Sequence, residues 1–403
     1  MVHVIPGHQT RPSDDPIFAL NREATQRRER GESIVNATVG ALLDDDGKLA
    51  VLPTAARAVH EVPAEEWAAY APISGSPGFL KAVMDDLFVR EPELRASAIA
   101  VATPGGSGAL RHAIANYLEP GQALLTTSFF WGPYQTLADE ADRKVATFPM
   151  FDRDGGLDVD ALDRAVATQL AEQKRVLLFL NDPCHNPTGY SMRTEEWRRV
   201  VERLLARAGN ASGGVITLLV DMAYFAYNAH DSRAFLAELR PLLGKVGLLF
   251  AWSASKTYTH YGLRVGALVA CIADAKERTM TEAAFSYSSR GTWSNCNRGG
   301  LAAITRLMTD GALASACDAE RDRFKTLLRA RVDAFNALAP ARGLRYPRYE
   351  GGFFVTVFHD DAHAKALVMK EKGVFVVPAK GALRVALCSV AERDVARLVD
   401  ALA

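Results

Sequence analysis

Four polar segments carry residue types that could handle an amine, a proton and a phosphate: Ser253-Ala254-Ser255-Lys256, Asp221-Met222-Ala223-Tyr224, Asn181-Asp182-Pro183-Cys184-His185-Asn186-Pro187-Thr188-Gly189 and Thr103-Pro104-Gly105-Gly106-Ser107-Gly108. The last offers backbone N–H groups at the start of a helix, a setting suited to phosphate. Tyr261-Gly262-Leu263-Arg264-Val265-Gly266 adds an arginine fork of matching geometry. Each has an ordinary alternative: a tight turn for the glycines, a helix cap for Asp221, a surface charge for Lys256. Their joint placement gives them weight.

That placement follows from the elements before them. Residues 98–102, 123–126, 175–180, 215–220, 246–252 and 267–272 are short apolar runs near turn-forming residues, which predicts buried strands. Residues 108–118, 134–141, 158–173 and 195–207 mix apolar and charged positions at helical spacing. The alternation predicts an α/β fold with a mostly parallel central sheet flanked by helices. Ligands bind such sheets beyond the carboxyl ends of the strands, where the polar segments fall. After Asn295 come a helical stretch over 300–338, a strand-like 352–358 and a final helix near 391–402, which predict a smaller α+β domain. The expected division is 1–48 as N-terminal arm and part of the small domain, 49–298 as the large domain and 299–403 as the small one, with a ligand cleft between them.

The 403 residues are 49% hydrophobic and 23% charged, ordinary globular material with a real core. Lys plus Arg number 47, as do Asp plus Glu, so no net field draws the chain to nucleic acid or an anionic membrane. The expected partner is a small molecule. Cys184, Cys271, Cys296, Cys317 and Cys388 are odd in number and hold no C-x-x-C pair, which argues against a disulfide framework or a structural zinc and predicts no metal site. A reducing cytoplasm fits this usage. Residues 1–16 suit an irregular arm and lack a signal peptide's apolar core. The longest apolar runs fall far below the roughly 18 residues of a membrane span.

Taken in order, these segments resemble the class I aminotransferases of pyridoxal-5′-phosphate (PLP) fold type I, in particular the aspartate and aromatic amino-acid branch. The resemblance begins at Asp15-Pro16-Ile17, continues through Asn36-Ala37-Thr38-Val39-Gly40, Asp46-Gly47-Lys48 and Tyr70 with Gly75, and runs through the segments above to Arg384. It implies a homodimer with composite active sites that moves an amino group between an L-amino acid and a 2-oxo acid such as 2-oxoglutarate, by ping-pong chemistry.

The resemblance also implies roles. Lys256 is similar to the lysine that carries PLP as a Schiff base, whose freed amine then moves the substrate proton. Asp221 resembles the carboxylate paired with the pyridine nitrogen. Asn186 and Tyr224 match the residues bonded to the ring's phenolic oxygen, and Trp131 matches the stacked aromatic, with Phe129 and Phe130 beside it leaving the register open. Gly106, Ser107, Ser253, Arg264 and a partner subunit's copy of Tyr70 would hold the phosphate. Arg384 would take the α-carboxylate, with Gly40, Asn186 and Trp131 also at the substrate. Arg290, four residues before Ser294-Asn295, matches the arginine that crosses to the other subunit to hold a side-chain carboxylate, and an ordinary surface arginine fits it as well.

Departures from the pattern are specific. Asn181 and Tyr134 stand where histidines surround Asp221 in the aspartate enzymes, Trp293 replaces a tyrosine, and Cys296-Asn297 replaces a proline pair. PLP-dependent lyase, decarboxylase or racemase chemistry would share Lys256 and Asp221. A dinucleotide-binding module fares worse: Gly105-Gly106-Ser107-Gly108 lacks the full G-x-G-x-x-G spacing, and Asn186, Asp221, Lys256 and Arg264 go unexplained.

Overall fold

Residue-by-residue register between neighbouring strands puts the polar segments at one level of a seven-stranded sheet. In a computed structural model, which describes residues 2–210 and 213–403, its order is Ala98–Thr103, Gly266–Cys271, Gly247–Ser253, Val215–Asp221, Arg175–Asn181, Ala123–Thr127, Lys144–Phe148. Met1, the first residue of the expected arm, lies outside the described residues. Gly266–Cys271 runs antiparallel to both neighbours, and the other pairs are parallel. Asn181 stands opposite Asp221, and Ser253 opposite Gly266, so the carboxyl ends deliver their polar residues to a common edge.

Both faces of the sheet are covered, which explains the nearly continuous apolar runs. Leu178, Leu180, Leu218, Val220, Phe250 and Trp252 join one core cluster, while Leu177, Phe179, Leu219, Leu249 and Ala251 join another. Successive side chains thus alternate between two buried environments. The strand Lys144–Phe148 was not among the expected ones. It is an edge strand whose Lys144 and Thr147 are exposed, so it shows no continuous apolar run.

The expected helical stretch over 300–338 is two helices, Arg298–Thr309 and Gly311–Leu338. Asp310 divides them: its carboxylate accepts from the backbone N–H groups of Ala312 and Leu313 at 3.0 and 3.1 Å, capping the second helix.

The chain forms two compact units, one of residues 1–49, 330–347 and 353–403, the other of 50–329 and 348–352. The division after the sheet domain therefore falls at 329/330, not at 298/299. Helix Arg298–Thr309 packs on Pro53–His60, Ala64–Ala68 and Pro77–Leu87, and so belongs to the larger unit. In the smaller unit, an antiparallel sheet orders Val377–Ala379, Ala382–Val385 and Val355–Phe358, and Val35–Asn36 pairs in parallel with Val374–Phe375. Arg331 is fully buried there, donating to the carbonyls of Cys388 and Leu43 at 2.7 and 2.8 Å and to Asp45 at 2.8 Å. Among the described residues no helix is long and apolar enough to cross a membrane.

Candidate active site

Beyond the strand ends of the larger unit lies a cavity of about 190 Å³. Gly106, Ser107, Trp131, Asn186, Asp221, Tyr224, Ser253, Lys256 and Arg264 all line it, so residues expected from six parts of the chain meet in one place. Leu110, Asn181, Ala223 and Ser255 complete the wall. Ser255 and Ala223 had no assigned role, although their place beside Lys256 and Asp221 at strand ends was a usable signal. Of the three neighbouring aromatics, Trp131 lines the cavity, whereas Phe130 stacks on Tyr134 and Phe129 packs on the core.

Lys256 sits on the short turn Ala254–Thr257 that follows Gly247–Ser253. Its Nζ is 5.6 Å from the ring centre of Tyr224 and 5.4 Å from that of Tyr261. Ser253 caps the turn by accepting from Ser255 N–H at 3.2 Å. Arg321 fixes the far side, donating through Nε to the Thr257 carbonyl at 2.8 Å.

Asp221 is buried at the end of its strand. Burial pushes its carboxyl above the usual range, while the Tyr134 hydroxyl, the Ala223 N–H and the charge of Lys256 pull it back. Tyr134 donates to Oδ2 at 2.7 Å and Ala223 N–H to Oδ1 at 3.1 Å.

Asn186 is presented by a loop whose residues 181–190 are all buried. Buried loop backbone must find partners, and here side chains supply many. Asn181 Oδ1 accepts from Asn186 N–H at 2.6 Å, Asp182 accepts from Met192 N–H at 2.8 Å and Trp197 Nε1 at 2.9 Å, and His185 meets Thr188 Oγ1 at 2.9 Å. Glu196 braces the outer edge, accepting from Tyr190 Oη, from Leu157 N–H and Arg193 N–H at 2.8 Å each, and from Arg348 at 2.9 Å. No sequence reading singled out Glu196 or Arg348.

At the glycine-rich end, helix Gly105–Tyr117 begins directly after Pro104, so the backbone N–H groups of Gly106 and Ser107 lie in its first turn. Arg264 lies across this start, donating to Tyr261 O at 2.9 Å, Ser255 Oγ at 3.3 Å and Pro104 O at 3.3 Å. Gly105 has φ +71°, which favours glycine, and a Cβ there would stand 2.5 Å from Arg264 Nη2 and displace the guanidinium.

Within the larger unit, two expected residues do not line the cavity. Tyr70 is 85% exposed, and Arg290, at the end of helix Ala275–Arg290, donates to Ser294 Oγ at 2.7 Å. In the smaller unit, buried Arg384 donates to the Thr38 carbonyl, and its guanidinium is 4.9 Å from the ring centre of Phe354. A Cβ on Gly40 would stand 2.4 Å from that same ring, so Gly40 and Arg384 share Phe354 as a neighbour.

Comparison with known proteins decides the family. Residues 32–402 match the model of the family described as aminotransferase class I and II. The chain belongs to the class I and II aminotransferases. This aminotransferase is 29% identical over 390 residues to a tyrosine aminotransferase of Klebsiella pneumoniae, covering 92% of this chain and 93% of that one. It is 27% identical to an aspartate aminotransferase of Pseudomonas aeruginosa over 84% of this chain and 85% of that one. A crystal structure of an aminotransferase from Anaerococcus prevotii superposes with a TM-score of 0.93 at 30% identity, covering 100% of this chain and 98% of that chain. The fold is thus that of the aminotransferases, and the protein is a transaminase, acting on amino and oxo acids.

Enzymes of this family use PLP, and the cavity can be tested for it. Asn186 Oδ1 is buried and has no hydrogen-bond partner among the described residues, so the amide suits a polar ligand. A buried carboxylate, an amine, an aromatic wall and a helix start beside an arginine fit the ring nitrogen, aldehyde, ring face and phosphate of PLP.

Proposed function

We propose that this transaminase carries PLP on Lys256 and transfers the amino group of an aspartate, glutamate or aromatic L-amino acid to a 2-oxo acid such as 2-oxoglutarate. The supporting observation is the convergence of Lys256, Asp221, Asn186, Tyr224 and Arg264 on one cavity. The names of the relatives, tyrosine, aromatic and aspartate aminotransferases, support the substrate range.

When bound, PLP supplies an aldehyde for amines and a ring that accepts negative charge from the substrate Cα. Lys256 holds the cofactor, and its Nζ, once released, takes the Cα proton and returns it on the cofactor side. Asp221 keeps a proton on the ring nitrogen. Asn186 and Tyr224 donate to the phenolic oxygen, while Trp131 packs on the ring. Ser107, Ser253, Arg264 and the Gly106 N–H hold the phosphate. Arg384, with Gly40 beside its neighbour Phe354, takes the α-carboxylate, for which a planar fork is suited.

The reading includes a homodimer in which Tyr70 and Arg290 serve the neighbouring subunit's site, an arrangement an isologous interface allows. It is supported by the exposure of Tyr70 and its absence from its own chain's cavity. Mixing Tyr70→Phe with Lys256→Ala chains then restores one intact site per hybrid, and no recovery above the parent activities would contradict it. Five buried free thiols support a reducing compartment, the cytoplasm.

The test of function is incubation of holoenzyme with each amino donor alone. Stoichiometric conversion to the pyridoxamine form, reversed by 2-oxoglutarate, is expected. Release of ammonia or carbon dioxide instead would assign lyase or decarboxylase chemistry.

A further inference from the structure

Among the described residues, Tyr134 gives Asp221 a side-chain donor of fixed direction. Tyr134 Oη donates to its Oδ2 at 2.7 Å, and both residues are buried. Three rings clamp Tyr134: Phe130 stacked with centres 6.2 Å apart, Trp131 edge-on at 5.9 Å and Phe179 edge-on at 5.3 Å. A ring clamped in this way has its hydroxyl aimed by packing rather than by the hydrogen bond alone. Asn181, opposite Asp221 in the sheet, uses its amide elsewhere. Its Nδ2 donates to the Asp221 main-chain carbonyl at 2.7 Å and its Oδ1 accepts from Asn186 N–H at 2.6 Å.

Among the described residues, the groups around Asp221 that can titrate or carry charge are Tyr134 from helix Pro133–Glu140, Tyr224 just after Val215–Asp221, and Lys256 just after Gly247–Ser253. Burial and the neighbouring Asp221 carboxylate push the Tyr134 phenol well above its usual range. Tyr134 therefore remains a neutral donor wherever the enzyme works.

We propose that Tyr134 is a positioning residue that keeps the Asp221 carboxylate ionised and oriented, and so holds the proton on the cofactor's ring nitrogen. The inference rests on the reading above, in which Asp221 pairs with that nitrogen. Without the phenol the proton moves from ring nitrogen to carboxyl oxygen. That transfer is internal to the pair and takes up no proton from solvent, so it changes the ratio of the two forms without a pH dependence of its own.

Tyr134→Phe removes the hydroxyl and little else. In the apoprotein, carbon NMR of labelled aspartate carboxyls, with Asp221→Asn to assign the signal, should show the Asp221 midpoint rising by about one pH unit, a tenfold change in proton affinity. In the holoenzyme, NMR of isotope-labelled ring nitrogen should show the ratio of nitrogen-bound to carboxyl-bound proton falling about tenfold. Unchanged signals in both experiments would overturn the proposal. So would a wild-type apoprotein whose Asp221 stays protonated at about pH 7, a result that decides the matter even if Tyr134→Phe does not fold. Because the apoprotein titration needs no cofactor, it separates failure of this inference from failure of the PLP assignment.

Discussion

Asn186 Nδ2 donates to Tyr224 Oη at 3.3 Å, while Asn186 Oδ1 is buried with no hydrogen-bond partner among the described residues. Two chain segments 38 residues apart thus present their polar tips together at one point of the cavity.

If the phenolic oxygen of PLP binds at that point, Asn186 Nδ2 and Tyr224 Oη donate to it and stabilise its anion. Removing a donor destabilises the anion, so Asn186→Ala and Tyr224→Phe should each raise the pH midpoint of the cofactor's visible absorbance, by about one unit apiece. The double variant should shift by a sum that departs from additivity, because the two residues touch. A spectrophotometric pH titration of the three proteins checks this, and unmoved midpoints would place the phenolic oxygen elsewhere.

Substrate charge recognition separates two arginines. Arg384→Leu should lower kcat/KM for every amino donor. Arg290→Leu should lower it about tenfold or more for aspartate and glutamate, the loss expected for a charge-assisted pair, and much less for phenylalanine and tyrosine. Equal losses for all four donors in Arg290→Leu would mean that Arg290 supports structure, through its bond to Ser294, and not dicarboxylate binding.

Acid stability carries a histidine signature. His112 is fully buried, stacked on Trp293 with ring centres 4.4 Å apart, and its Nε2 lies 3.0 Å from Ser289 Oγ. Burial, with the nearby Arg111 charge, lowers its pKa to about 4. The folded state therefore favours the neutral ring, and the unfolded chain binds a proton first as pH falls. The contribution is complete above about pH 6.5 and is lost progressively toward about pH 4, at up to ~1.4 kcal/mol per unit. Denaturant titrations across that window should show His112→Gln with a shallower slope than wild type. An identical slope would show that His112 takes up its proton equally in both states.

Much of the site was legible because a parallel sheet buried on both faces writes its strands as apolar runs, and the first polar residues after them are the ones at the ligand edge. Asp221, Lys256 and Asn186 were found in that way. What escaped was set by packing between distant segments. The hydrogen bond from Tyr134 to Asp221 spans 87 residues, and only the resemblance, not anything local, set Tyr134 apart from a core tyrosine. Arg348 braces the Asn186 loop across 152 residues by way of Glu196, with its guanidinium 4.5 Å from the Tyr190 ring centre. The edge strand Lys144–Phe148 lacks a second buried face, and so lacks the apolar run that revealed its neighbours.

The central claim is that Lys256 carries the cofactor. The most direct measurement is borohydride reduction of the PLP-loaded protein, followed by proteolysis and peptide mapping by mass spectrometry. The account predicts a single pyridoxyl-modified peptide containing Ser253-Ala254-Ser255-Lys256, with the label on Lys256 and absent from Lys256→Ala. A label on another lysine, or none after PLP is added, would contradict it.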